Sequence, residues 1–494
     1  MSNPPEDQGR RLHQTGPGGE SSLAPGPCIP QVSGVNGAAG APGQVSRSLP
    51  LPDVAPDAPP ARRIVVIGGG VAGLSAAWRL GEVAQVTVLE ADDRLGGHAN
   101  TVNAPGPRGE TPVDTGFIVY NEDNYPNFTA LLAHLGVASQ LADMGLSVSL
   151  DDGGLEYSSN ALLAQKRNLL RPRFWRMVAD ILRFYRRAPD DLKRLEGTGT
   201  SLDDYLQGGG FGPAFRDDHL LPMAAAIWST PLERIGDYPA ASLIRFFLNH
   251  GMMTVTGRGL WRTVTGGSRS YVRPLVAATR AEFRTGARVA GLSRSAEGVR
   301  VRLADGGTLD FDEAVLAVHG DTALSLLDDP SPEETALLGA FRYAANRVML
   351  HRDPALMPRR RAAWTAWNHI GYSDRPGEGP VTYWMTYLQS LKGAGDLFVT
   401  LNPPEGFQPQ GLVADIPYQH PLYDGAAIQA QARLWSLQGV RRTWFCGSYF
   451  GHGFHEDALQ SGLAVAEGLG APRRPWSVPN ESGRIHLPAP QAGT

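Results

Sequence analysis

Cysteine and lysine are nearly missing from this sequence. Two cysteines, Cys28 and Cys446, in 494 residues leave no disulfide framework, and such a chain is expected in a reducing compartment, the cytoplasm. The only lysines are Lys166, Lys193 and Lys392, so positive charge is carried almost wholly by arginine. There is no basic excess either. A net charge of −4 and a pI of about 6.3 give no signal for a nucleic-acid partner. No apolar run is long enough to span a bilayer. Residues 1–60 are poor in bulky apolar side chains and rich in Pro, Gly and Ser, which predicts a leader without fixed structure. No apolar segment follows Arg10-Arg11, as a secretory signal would require.

What is present is concentrated at 62–97. A β-branched run at 64–67 suits a strand buried on both faces. Gly68, Gly70 and Gly73 follow in G-x-G-x-x-G spacing. The first allows a tight turn, the second lets a pyrophosphate approach the backbone, and the third lets a helix pack against the strand. The helix predicted over 71–80 then points its free N–H groups at the phosphates. A second strand, 86–89, ends at Glu90, placed to accept from a ribose hydroxyl. An acidic residue there disfavours a 2′-phosphate, leaving FAD or NAD. Arg94 and the pair Gly96-Gly97 come next: a cation within reach of a pyrophosphate, then backbone able to pass close to a flat cofactor.

Farther along, 125–135 reads as a helix, and 144–150 with 155–158 as a hairpin around Asp151-Asp152-Gly153-Gly154. In 173–187, Phe174, Met177, Val178, Ile181 and Tyr185 share one helical face, and Arg173, Arg176, Asp180, Arg183 and Arg187 the other. A basic amphipathic helix of this kind suits an anionic membrane surface, and equally an ordinary helix with a solvated arginine face. The apolar stretches 220–231 and 242–253 suit a tunnel wall or plain core. A GG turn at 265–268 precedes a helix expected over 270–282. Strands are then expected at 287–292, 299–303 and 311–318, and an antiparallel sheet from 346–351, 364–369, 381–388 and 397–401. A strand ending in Cys446-Gly447-Ser448 leads through a glycine loop to a helix over 459–469.

The N-terminal dinucleotide motif followed by Arg94-Leu95-Gly96-Gly97, together with the closing strand, glycine loop and helix, resembles the amine oxidase and phytoene desaturase superfamily of FAD flavoproteins. The segments 116–127, 168–177, 223–231, 264–272 and 453–467 resemble a bacterial subgroup associated with cyclopropane and methyl-branched fatty-acid synthesis. The resemblance implies an α/β fold. An FAD-binding Rossmann-like domain is assembled from 61–120, 255–330 and 430–472. An α+β substrate domain, 121–254 and 331–429, is inserted between them, and 473–494 form a tail. It also implies FAD contacts from Gly68, Gly70, Ala72, Gly73, Glu90, Arg94, Gly96, Gly97, His98, Val289, Gly447, Ser448, His455, Glu456, Asp457, Ala458 and Leu459, the last five mainly through the backbone of a helix N-terminus. A D-x-G turn at 114–116 lies near the flavin in such proteins. His455, His420 and Tyr120 are candidate bases by location. The implied substrate is an acyl lipid, the implied reaction a desaturation or dehydrogenation, and the implied setting close to a membrane, which 173–187 is the candidate to contact from the cytoplasm. An amine or carotenoid-type oxidoreductase, a redox-neutral isomerase and a lipid-binding protein stay open. Two departures stand out. Ser448 occupies a position that is acidic in many relatives, and no lysine suits the place amine oxidases give one near the flavin, Lys392 being the nearest fit.

Overall fold

The computed structural model describes residues 62–228, 236–249, 252–253, 260–375 and 378–488. The leader, the far tail, residues 229–231 of the first apolar stretch and 250–251 of the second lie outside the described residues.

The β-branched run forms the strand Arg63–Ile67, and it is buried on both faces as its composition requires. Ile64 and Val66 enter one core cluster, Val65 and Ile67 another. The strand sits at the centre of a five-stranded parallel sheet in the order Ala281–Arg284, Gln85–Leu89, Arg63–Ile67, Glu313–Leu316, Thr443–Phe445. Three distant stretches of chain therefore build one sheet. On one face the helices Val71–Leu80 and His455–Gly468 pack so closely that a Cβ on Gly462 would lie 2.2 Å from the Ala72 carbonyl oxygen. A three-stranded antiparallel meander, Val289–Arg294, Val299–Leu303 and Thr308–Phe311, contributes to the core on the other face.

A seven-stranded sheet forms the second layer, in the order Ala414–Leu422, Arg342–His351, Phe398–Leu401, Val381–Trp384, Trp367–Gly371, Leu146–Leu150, Leu155–Ser158. Its pairs are antiparallel except Trp367–Gly371 with Leu146–Leu150. The expected hairpin is present.

Three expectations need correction. The helix expected over 270–282 is Arg269–Ala278. The chain turns extended at Thr279, and Ala281–Arg284 pairs with the second strand as the sheet's edge. The strand expected over 311–318 breaks at Asp312, where the chain passes from the meander to the parallel sheet and the Asp312 carboxylate accepts from the Arg63 N–H at 2.7 Å. Residues 385–388 make a helical turn, and 414–422, not foreseen as a strand, forms the sheet's long edge strand.

Candidate active site

A cavity of about 640 Å³ lies between the two sheets. Its first end is made of backbone. Gly68 has φ +108°, and a Cβ there would lie 2.4 Å from the Ala317 carbonyl oxygen; a Cβ on Gly73 would lie 1.9 Å from the Gly68 carbonyl oxygen. Neither position has room for a side chain. A Cβ on Gly70 would meet nothing within 4 Å, because Gly70 borders the cavity. The helix Val71–Leu80 starts there without a side-chain cap, so its first N–H groups have no intrahelical acceptor. The second glycine pair packs on the first: the Gly96 N–H donates to the Gly69 carbonyl at 2.8 Å, and a Cβ on Gly97 would lie 3.2 Å from Gly70 Cα.

Glu90 borders this end. Its carboxylate accepts from the N–H groups of Gly69 at 2.6 Å and Asp92 at 2.9 Å, with lone pairs left for a hydroxyl. Arg94 lies off the cavity wall, but its Nη1 is buried and has no hydrogen-bond partner among the described residues. Ala72, Gly96, Gly97, His98, Val289, Gly447 and Ser448 all line the cavity.

The middle of the cavity is ringed by imidazoles. His98 lies 5.0 Å from Tyr418, 5.7 Å from His420 and 6.3 Å from His319 between ring centroids. Burial pushes His98 down to about 3, with His420 adding to it, and pushes His420 down to about 4. Burial lowers His319 as well. All three are neutral at pH 7.

His455 opens the helix His455–Gly468 and borders the cavity. It stacks on Phe117 at 3.9 Å, and its Nε2 is 2.6 Å from the Tyr271 hydroxyl. Burial, then His98, holds it near 3. Only His455 and Ala458 of the expected helix-terminus set reach the cavity. Glu456 points the other way and accepts from the Asn127 and Phe128 N–H groups at 3.1 and 2.9 Å. Asp457 accepts from the Phe454 N–H at 2.7 Å and pairs with Arg484 at 2.6 Å. Leu459 is core. A helix offers one face to a cavity, and these three side chains lie on its other faces, which leaves the backbone N–H groups of this first turn as what they can offer there. Tyr120 is likewise corrected: it is 1% exposed, packs on Tyr125 and Phe128, and does not line the cavity.

The D-x-G turn has a divided role. Thr115 and Gly116 line the cavity. Asp114, just behind them, is a buried clamp that accepts from Thr101 Oγ1 (2.6 Å), Ser268 N (2.9 Å) and Gln389 Nε2 (2.8 Å). It ties the turn to the GG turn, where a Cβ on Gly267 would lie 2.4 Å from Thr101 Cγ2.

The far wall comes from the seven-stranded sheet and the turn after one of its strands: Val348, Trp367, Tyr383, Leu388, Val399 and Leu401. Phe246 and Met252 join it from the second apolar stretch, whereas Leu220, Leu221, Leu243 and Phe247 are plain core. Among the described residues the charged side chains on the cavity are Glu90, Asp92 and Arg288, all at the glycine-rich end. Lys392 is exposed and does not line the cavity. Sequence patterning missed Tyr418, Gln419 and Tyr423 because they sit on the unforeseen edge strand or just beyond it.

Residues 71–347 match the family profile described as flavin containing amine oxidoreductase. Coproporphyrinogen III oxidase of Mycobacterium tuberculosis is 27% identical over 315 residues, covering 58% of this chain and 66% of that protein, just under two-thirds of its length. Among solved structures, a putrescine oxidase superposes with a TM-score of 0.62 at 15% identity, over 83% of this chain and 99% of the other. A CLA-producing fatty acid isomerase from P. acnes superposes with a TM-score of 0.59 at 16% identity, over 85% and 99%. At these identities the two structures establish the shared fold.

Proposed function

Because the chain belongs to the flavin containing amine oxidoreductase family and its cofactor is FAD, we propose that it is an oxidoreductase acting on an apolar substrate, a fatty-acyl lipid. FAD fits the residues present. The open side of Gly70, the uncapped start of the helix Val71–Leu80 and the unpartnered Nη1 of Arg94 make a site for a diphosphate. Glu90 suits the ribose. Residues 61–120, 255–330 and 430–472 are assigned to this cofactor domain, and 121–254 with 331–429 to the substrate domain. When bound, the flavin supplies a two-electron acceptor for a hydride from carbon.

The chain's own residues do the rest. The far wall desolvates an acyl chain and holds one C–H bond in place, which supplies much of the rate. The N-terminus of His455–Gly468 favours negative charge at the cavity. His420 and His98, both neutral, are the candidate acceptors for a proton released beside them.

The observation that carries this reading is that none of the described residues places a charged side chain on the far wall. An ammonium substrate would find no carboxylate there among the described residues, and the tetracarboxylate substrate named for the mycobacterial relative would find no cluster of cations. That relative is the one observation favouring a second reading, tetrapyrrole oxidation. The fatty acid isomerase indicates that this fold accommodates an acyl chain.

The test is an anaerobic absorption spectrum of the FAD-loaded protein, titrated separately with phosphatidylglycerol, putrescine and coproporphyrinogen III. Bleaching of the oxidised-flavin bands by the lipid alone is expected. Bleaching by putrescine or the porphyrinogen, with none by lipid, overturns the reading. Unbleached bands with a displaced acyl double bond, seen by mass spectrometry, make it an isomerase on the same substrate.

A further inference from the structure

Among the described residues, fourteen large apolar side chains are exposed, and six of them fall within residues 162–182: Leu162, Leu163, Leu169, Leu170, Trp175 and Leu182. Leu170 is 87% exposed. Single exposed leucines need no explanation, but a contiguous set marks an interaction surface.

This corner is built. Gln165 and Asn168 are buried and bolt the segment to the hairpin: Gln165 Nε2 donates to the Gly153 carbonyl at 3.0 Å, and Asn168 Nδ2 donates to the Glu156 carbonyl at 2.8 Å. Leu169 and Leu170 are thereby held outward in the short helix Lys166–Leu170. Trp175 Nε1 donates to the Leu169 carbonyl at 3.0 Å, so the indole belongs to the same corner. From it, Trp175, Ala179, Leu182 and Arg186 run as one exposed stripe at helical spacing along Pro172–Leu195.

The charges around it differ from those the periodicity placed. Arg173, Arg183 and Arg187 are tied to Asp218, Asp180 and Asp191 on the helix's flank. Lys166, Arg167, Arg171, Arg176 and Arg186 have no ion-pair partner among the described residues. Arg167 and Arg171 bond only neutral groups, both reaching the Gly154 carbonyl. Beside them Arg359 and Arg360 are paired with Asp152 and Glu156, and Asp151 accepts from Ser373. The fringe of the apolar corner is therefore cationic.

We propose that residues 162–186 form the face with which this protein docks on an anionic phospholipid bilayer. Leu169, Leu170 and Trp175 enter the headgroup boundary, and the unpaired cations meet the lipid phosphates. An indole anchored by its N–H and flanked by arginine suits a boundary that is apolar on one side and anionic on the other. The surface needs neither flavin nor turnover, so it stands or falls separately from the substrate reading.

The test is co-sedimentation of the full chain with phosphatidylcholine vesicles, with and without phosphatidylglycerol. Binding is expected only with phosphatidylglycerol and should weaken with salt. The double variant Leu169→Ser/Leu170→Ser should lose about tenfold or more of the affinity, and Lys166→Glu/Arg176→Glu should lose the phosphatidylglycerol dependence. All these side chains are exposed, so melting temperatures should stay unchanged. Leu412→Ser, an exposed leucine elsewhere, should bind as the parent does. Failure of the parent to bind, or equal binding by the leucine variant, overturns the proposal. So does a parent dimer that the leucine variant turns into a monomer by light scattering without altered vesicle binding; the face would then join two copies.

Discussion

The two ends of the cavity are made differently. The glycine-rich end is shaped by backbone, at positions where a Cβ has no room or would enter the cavity, and most of it comes from 63–97, with Ala287, Arg288, Val289, Ala317 and the closing strand added from farther along the chain. The imidazole ring and far wall are side chains delivered by turns, strands and a helix terminus hundreds of residues apart, from His98 to His455. A backbone-made site tolerates almost no substitution and is local in sequence. A side-chain-made site tolerates exchange and is not local. The ways to test this contrast are taken from the largest effect downward.

Gly73→Ala should be the most damaging methyl group at the glycine-rich end. Its Cβ would sit 1.9 Å from the Gly68 carbonyl oxygen, so strand and helix must separate. Loss of soluble flavoprotein is expected, read from the flavin-to-protein absorbance ratio and circular dichroism. Gly70→Ala has open space for its methyl group. It should leave the flavin-free melting temperature unchanged and lower FAD affinity by about tenfold, because the methyl occupies the cavity where backbone approaches the pyrophosphate. Equal effects from the two variants would break the contrast.

Acid should act mainly on the other end. His98, His420 and His455 are held near 3–4, below the ordinary 6.5, by burial first. Below pH 6.5 the unfolded chain takes up protons that the folded chain refuses. Unfolding therefore gains protons, and stability is full above pH 6.5 and falls as the pH drops toward 4. A fall in melting temperature of roughly 5–10 °C from pH 7 to pH 5 is expected. His98→Gln/His420→Gln should flatten that slope.

The contrast also explains what could be read without coordinates. The parallel sheet's first two strands, the turn, the helix and Glu90 are one local pattern with a fixed physical purpose, and they are where the spacing places them. The hairpin and the long arginine helix follow from simple periodicity. The strand Ala414–Leu422 was hidden by Pro417 and Pro421, which a sheet admits because this strand lies at its edge. With it went Tyr418 and Gln419, and the reason His420 faces His98. Tyr120 shows the opposite error: a tyrosine beside a flavin-type turn looks chemical until packing places it in the core. Glu456 and Asp457 occupy the right turn of the right helix, but only coordinates reveal which face of that turn meets the cavity.

Arg94 tests whether the glycine-rich end has any side chain it depends on. A buried guanidinium nitrogen without an acceptor costs stability until an anion arrives. Arg94→Ala should therefore weaken FAD binding by about 10- to 100-fold, the loss of a charge-assisted hydrogen bond. The flavin-free protein should become no less stable. A variant that loses stability without losing FAD would place Arg94 in the scaffold.

The smallest effect is expected at the junction of the two ends. Tyr271 holds His455 through a 2.6 Å hydrogen bond, and Phe117 holds the ring's face. Tyr271→Phe keeps the ring packing and deletes only the hydroxyl, leaving one imidazole nitrogen unpaired at a cost of about 1 kcal/mol. The stack on Phe117 then fixes the ring plane but not its rotation within that plane. A melting temperature lowered by about 1 °C, with FAD affinity retained and a shifted flavin spectrum, would identify His455 as a positioned group at the cofactor. An unchanged spectrum with the same loss of stability would identify it as packing, and would leave His98 and His420 as the imidazoles that matter to the chemistry.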